Sequence, residues 1–296
     1  MGNSVPSSLT IGHQTIKIKG QIGDGGHGHV YRGEDDAGKD YALKVTWVPR
    51  DRNGAVANEE AAETASLEQT ILKRICPHPN VIEVLDSGML KEDNEIRYHI
   101  LIEYCPRTVL GHLTEARKAP SNYLPERDIM LILRDTLSAL QHLHAQTPPI
   151  AHRDLRVENL LVDVRGRVRL CNFGSCSLRH RSFAASRDIA LAKEEIRRRT
   201  APAYRAPEQV DLHLGHMVSE RVDIWAVGVL LHKLAFGATP FEDSRGDVQN
   251  LAILGGFRVD RLPEAHPYSS GLCALLQLCM NPIPQARPSC AQLLRR

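Results

Sequence analysis

Apolar and polar residues alternate over residues 15–19, the period-two mark of a half-buried strand. Val30, Tyr31 and residues 41–45 continue this β-type pattern. The acidic, alanine-rich stretch 58–75 predicts a helix that stops before Pro77 and Pro79, because proline has no amide to continue one. Residues 81–85 and 96–102 predict a strand pair around the polar turn 91–95. From about Thr108 the period changes. Within 126–145, Ile129, Met130, Leu133, Leu137, Leu140 and Leu143 recur near every 3.6 residues, as on one face of a helix, and Pro148 and Pro149 close it. Short strands are expected over 160–162 and 168–170, around a turn at Arg165 and Gly166. Residues 221–236 and 271–280 predict buried helices. The pattern as a whole predicts an α+β, bilobal fold. A small β-rich lobe with one main helix (1–104) precedes a larger, mostly helical lobe (105–296). A cleft is expected between them, with the joint near 103–106.

Composition narrows the class. The chain has 296 residues, 42% hydrophobic and 24% charged, as soluble globular proteins do. With 37 basic and 35 acidic residues the net charge is +2, which gives no footprint for a nucleic-acid partner. The triplet Arg197, Arg198, Arg199 reads as a solvated face. Seven cysteines contain no Cys-x-x-Cys pair, so neither a disulfide framework nor a zinc site is expected, and a reducing, cytoplasmic setting follows. His27 with His29, and His142 with His144, lack a third ligand for a metal. The apolar run 224–231 is broken by His232 and Lys233, so no transmembrane segment is expected. The start lacks the apolar core of a secretory signal. It resembles a myristoylation site at Gly2, which would place the protein at a membrane periphery, but Pro6 stands where Ser or Thr is wanted.

Three motifs carry candidate chemistry. Gly23, Gly25 and Gly28, followed by Val30, match G-x-G-x-x-G-x-V, whose glycines let backbone N–H groups approach a phosphate. A dinucleotide-binding unit needs a helix straight after such glycines. Here Val30, Tyr31 and Arg32 read as strand, which points to a glycine-rich hairpin lid. Next, Tyr41, Ala42 and Leu43 lead to a lone Lys44. In isolation that is either an edge lysine or a cation aimed at phosphates. Of the carboxylates on the following helix (Glu59, Glu60, Glu63 and Glu68), Glu68 is the expected partner, because Leu67, Ile71 and Leu72 would direct it toward the strand of Lys44. Finally comes the run His152, Arg153, Asp154, Leu155, Arg156, Val157, Glu158, Asn159. Asp154 can accept a hydroxyl proton, and Asn159 can offer an oxygen to a metal ion. Phosphoryl transfer needs such groups on one short loop, because its catalysis is mostly positioning and charge compensation.

With these motifs in order, the chain resembles the eukaryotic protein kinases over nearly its whole length. Asn172, Phe173 and Gly174 stand at the family's Asp-Phe-Gly metal motif. Ala206, Pro207 and Glu208 close the activation segment. The segment from Asp223 to Gly228 resembles the helix that anchors the catalytic loop, and Arg287 resembles the arginine that pairs with Glu208. The resemblance implies ATP and Mg²⁺ as cofactors, with Asn159 and Asn172 at the metal. Asp154, Lys44 and Arg156 take catalytic roles. Gly23, Gly25, Gly28, Val30, Ala42, Lys44, Glu68 and Asn159 lie around the nucleotide, as do Ile102 as gatekeeper and Glu103 and Cys105 in the hinge. Val157 to Leu161, Cys171, Ser175 and the run Pro202, Ala203, Tyr204, Arg205 are similar to the Numb-associated kinases. That subfamily phosphorylates Ser/Thr, notably in clathrin-adaptor traffic, so a protein substrate or partner related to endocytic adaptors is implied. An extra activation-segment helix is expected over 190–198. Ser177, Ser182 and Ser186 lie near Arg179, Arg181 and Arg187, and a phosphate there would be paired.

Three positions depart from the family pattern. Asn172 keeps the shape and one oxygen of the family's aspartate but loses the charge. Ala201 stands where Ser/Thr kinases have a threonine bonded to the catalytic aspartate; the adjacent Thr200 would substitute only with a shifted backbone. Arg156 replaces a lysine, as it does in some tyrosine kinases, although the end of the activation segment is unlike theirs. Two functions therefore stay open: a Ser/Thr kinase, working or weakened, and a pseudokinase that binds nucleotide and acts as a scaffold or allosteric module.

Overall fold

The computed structural model describes residues 7–11, 14–25, 28–51, 55–92, 94–119, 122–183, 185–243 and 245–296. The myristoylation reading at Gly2, and Gly26 and His27 of the glycine motif, lie outside them. The chain divides into two compact units, Met1–Pro106 and Arg107–Arg296.

The first unit is a six-stranded sheet with one helix. Its strands are β1 (Ser8–Ile11), β2 (Gln14–Gly25), β3 (Gly28–Glu34), β4 (Asp40–Pro49), β5 (Val84–Lys91) and β6 (Glu95–Glu103), in the order β1-β2-β3-β4-β6-β5. Ile11, Ile16, Tyr31, Tyr41, Leu43, Val45 and Leu101 form the core on one face. Helix α1 (Glu59–Ile75) starts at Asn58, whose side chain accepts from the Ala61 amide at 3.0 Å. Glu59 and Glu60 in its first turn and Lys73 and Arg74 in its last complement the helix dipole. The first strand of the expected pair runs over 84–91 rather than 81–85. It is the edge of the sheet and fully buries none of its residues, and Asp86, Ser87 and Gly88 interrupt the apolar alternation, so a hydrophobic-pattern reading misses its extent.

The second unit is mostly helical. It contains α2 (Val109–Lys118), α3 (Glu126–His144), α4 (Ser186–Arg199), α5 (Pro207–Val210), α6 (Arg221–Phe236), α7 (Asn250–Leu254), α8 (Ser270–Cys279) and α9 (Cys290–Leu293). A small sheet joins β7 (Arg107–Thr108), β8 (Leu160–Val162) and β9 (Val168–Leu170). Helix α3 packs against β9, α6 and α9. Covered from several sides, it buries Ile132, Asp135 and Thr136 as well as the expected leucines, whereas Met130 is 38% exposed. Helix α6 is buried over most of its length, consistent with its apolar run 224–231. Helix α4 begins four residues before the expected 190–198, with Asp188 in its first turn. Among the described residues no disulfide forms, and no helix is long and apolar enough to cross a membrane.

Candidate active site

In the first unit, strand register gathers the expected nucleotide-binding residues. Val30 lies opposite Lys44, and Ala42 opposite Ile102. Cross-strand partners and alternate residues share a face, so Val30, Ala42, Lys44 and Ile102 project from one side of the sheet. Lys44 Nζ donates to Glu68 Oε2 at 2.6 Å, and Glu68 is buried on the same helical turns as Ile71 and Leu72. Of the four candidate carboxylates, the structure brings Glu68 to the lysine.

Gly23 and Gly28 sit on the hairpin of β2 and β3, where Gly25 pairs with Gly28. A Cβ on Gly28 would lie 2.5 Å from the Val45 carbonyl oxygen, so glycine is required there for β3 to approach β4. At Gly23 a Cβ would make only ordinary contact with Val30, so sterics inside the fold do not demand that glycine. At the unit's end, Glu103 and Glu83 are tied twice. The Glu103 amide donates to the Glu83 carbonyl, and its carboxylate accepts from the Glu83 amide, both at 3.0 Å. Cys105 follows, half-buried.

In the second unit, the run 152–159 is held from below by Asp223 on α6. This fully buried carboxylate accepts from the amides of His152 and Arg153, each at 2.8 Å, and contacts His144 Nε2 at 2.8 Å. Those bonds hold Arg153 at φ 67°, a left-handed backbone that an arginine rarely adopts. His152 packs edge-on against Phe173, with ring centroids 5.2 Å apart. Its Nδ1 accepts from the Asp154 amide at 3.3 Å, so Nε2 carries the hydrogen that reaches the Cys171 carbonyl at 3.2 Å.

Asp154, Asn159 and Asn172 come together here. Asn159 Nδ2 donates to the Asp154 carbonyl at 2.6 Å and to Asp154 Oδ2 at 2.8 Å. Asn172 Nδ2 donates to Asp154 Oδ2 at 3.1 Å and to Asn159 Oδ1 at 3.3 Å. Asn172 has φ 68°, a conformation asparagine tolerates better than most residues. Burial pushes the Asp154 carboxyl above the usual carboxylate range, against the opposing pull of His152, Asn159 and Arg156. Arg156 Nε is engaged by Glu158 at 2.7 Å, and this hydrogen bond, more than any other contact, raises the Arg156 pKa.

The two amides do not suit a divalent cation. Such an ion wants several oxygens, usually with carboxylates among them. Here Asn159 Oδ1 is already an acceptor for Asn172, and both residues are neutral.

Thr200 does not stand in for the threonine missing at Ala201. Its hydroxyl donates to the Ile196 carbonyl at 2.6 Å and accepts from Arg205 Nε at 2.8 Å. As the last turn of α4 continues into Thr200, that hydroxyl caps the helix. Glu208 and Arg287 form a fully buried, two-pronged ion pair with both N–O distances at 2.7 Å. Ser177 exchanges backbone bonds with Ala151 at 2.9 Å, and Ser186 opens α4.

Two residues escaped the sequence reading. Glu195 on α4 reaches Arg153 Nη1 at 2.6 Å. The helix buries Ile189, Ala192 and Ile196, which places Glu195 at the margin of its buried face. Glu194 instead pairs with Arg197 and Arg198. His144, noted only as half of a histidine pair, lies between Asp223 and the Cys290 thiol, whose sulfur is 3.6 Å from Nδ1.

These two units are those of the α+β protein kinase fold, and the chain belongs to the protein kinase family: the model of the protein kinase domain matches residues 16–296. Among its relatives is a probable serine/threonine-protein kinase of Dictyostelium discoideum, 33% identical over 291 residues, which are 98% of this chain and 25% of that protein. A serine/threonine-protein kinase of Schizosaccharomyces pombe is 30% identical over 98% of the chain and 29% of its own length. The corresponding figures for an actin-regulating kinase of Saccharomyces cerevisiae are 30%, 97% and 34%. The chain thus spans a quarter to a third of the length of these curated relatives.

Proposed function

We propose that this chain is a serine/threonine-protein kinase domain that moves the γ-phosphoryl group of ATP to a Ser or Thr hydroxyl, at a reduced rate. The observation that carries this is Asp154, a half-buried carboxylate of raised pKa on a loop fixed by Asp223. In the proposed reaction, the substrate hydroxyl oxygen bonds to the γ-phosphorus. The bond from phosphorus to the β,γ-bridging oxygen breaks, ADP leaves, and the hydroxyl proton passes to Asp154. A base with a raised pKa is better matched to that transfer. Lys44, fixed by Glu68, supplies positive charge for the phosphates. Backbone amides at Gly23, Gly25 and Gly28 approach them. Val30, Ala42 and Ile102 flank the adenine, with Glu103 and Cys105 bonding its edge. Arg156 offers its remaining guanidinium hydrogens to the transferred group.

Protein kinases in general use Mg²⁺ with ATP, and here Asn159 and Asn172 stand at the metal positions without a carboxylate. Their neutrality, together with Ala201, accounts for the reduced rate. The resemblance to the Numb-associated kinases supports an endocytic-adaptor-related protein as substrate or partner, met in the cytoplasm or at a membrane periphery.

One observation favours a second function, a nucleotide-binding pseudokinase. The Asn172 amide is bonded directly to the Asp154 oxygen that would receive the proton. Radiolabel transfer from ATP to a threonine-containing protein substrate separates the two. The parent is expected to exceed an Asp154→Ala variant by at least ~10-fold, about 1.4 kcal/mol of transition-state stabilisation. Equal, background-level transfer by both proteins would retain only the pseudokinase.

A further inference from the structure

The hydrogen bonds among Asp154, Asn159 and Asn172 have a direction that bears on how nucleotide is bound. An ionised carboxylate only accepts, so both amide nitrogens must face Asp154. Asn159 spends its NH₂ group on the Asp154 carbonyl and Oδ2, at 2.6 and 2.8 Å. Its Oδ1 is thereby turned to Asn172, whose Nδ2 lies 3.3 Å away and also 3.1 Å from Asp154 Oδ2. A single amide nitrogen, with two hydrogens, thus bridges two acceptor oxygens. An aspartate at position 172 would have no such hydrogens. It would bring a second carboxylate against Asp154 Oδ2 and Asn159 Oδ1, and those oxygens would repel one another until a cation arrived.

We infer that this chain binds ATP without a divalent cation, because the Asn172 amide already satisfies the oxygens that a cation would otherwise join. The inference rests on the ATP-binding function proposed above. A metal ion entering here would have to break the bridge from Asn172 and would receive neutral amide oxygens in return. Lys44, held by Glu68 in the first unit, remains as a cation for the phosphates. The ligand is therefore metal-free nucleoside triphosphate, bound at least as well as its magnesium complex.

The test is equilibrium binding of a fluorescently labelled ATP, measured in EDTA and in excess Mg²⁺, for the parent and for Asn172→Asp. The parent's affinity is expected to stay within ~2-fold between the two conditions. The Asn172→Asp variant is expected to bind at least ~10-fold more tightly with Mg²⁺ than with EDTA, since a coupling of that size is typical of two linked ligands. A parent that tightens ~10-fold or more on adding Mg²⁺ overturns the inference and leaves ATP binding standing. A variant as insensitive to Mg²⁺ as the parent also overturns it, because position 172 would then not control the metal. No binding by the parent in either condition overturns the ATP-binding function and the inference together.

Discussion

Asp223 is fully buried on α6 yet keeps its charge, because everything around it favours the carboxylate. Burial works against the charge, but the His144 contact and the His152 and Arg153 amides outweigh it and hold the pKa below the usual range. The partner responds in the opposite sense. Burial alone would lower the His144 pKa, but Asp223 and the Cys290 thiol raise it to about 10 from the ordinary 6.5. The folded protein therefore keeps a proton on His144 where the unfolded chain has released it. The stability this contributes is complete below pH 6.5 and disappears as the pH rises through about 10. Between those values the parent should lose on the order of 5 °C more in Tm than a His144→Gln variant, read by thermal unfolding across the range. Parallel pH profiles would show that His144 is uncharged in the fold. The residue-level chemistry was only partly legible. Asp154, Lys44 and Glu68 stood out by type and spacing. His144 did not, since its partner lies 79 positions away and no local spacing marks it.

Helix α4 is the element whose role the sequence underspecified. Its helix-forming residues predicted its existence, yet its start at Ser186 depends on docking that a linear pattern does not contain. Ile189, Ala192 and Ile196 bury one face, and Glu195 beside it pairs with Arg153, whose side chain is only 6% exposed. Arg153 and then Arg199 and Arg179 help lower the Glu195 pKa against the cost of burial, so the carboxylate is charged. The pair ties α4 to the loop that presents Asp154. In a Glu195→Gln variant the buried guanidinium loses its counter-charge. Amide hydrogen exchange across 186–199 and at Ala151 and Ser177 should then quicken by about 10-fold, the effect of making local opening easier by ~1.4 kcal/mol. Unchanged exchange would mean that the apolar face alone docks the helix. The edge strand β5 shows the complementary gap. It forms through backbone pairing with β6 while none of its residues is fully buried, so hydrophobic alternation carried little trace of its extent.

At the scale of the molecule, the two units carry different parts of the proposed chemistry. The β-rich unit presents Lys44, oriented by Glu68, together with the glycine hairpin. The helical unit presents Asp154 with Asn159 and Asn172 on a base of α3 and α6. The class of fold was legible because strand periodicity gives way to helix periodicity near Thr108, and because the motifs fall in order on those elements. What spacing left open was how the departures act. The structure shows Thr200 capping α4 instead of reaching Asp154, and Asn172 bonding to Asp154 and Asn159. In the proposed function the domain transfers phosphate and the lost charge at position 172 limits its rate. The most direct measurement is the initial rate of radiolabel transfer from ATP to a threonine-containing substrate at one fixed Mg²⁺ concentration, for the parent and for Asn172→Asp. Restoring a charge at contact distance is worth up to a few kcal/mol at an effective dielectric of about 20, so the variant should be faster by on the order of 10- to 100-fold. A variant no faster than the parent would contradict a rate limited by the lost charge at position 172.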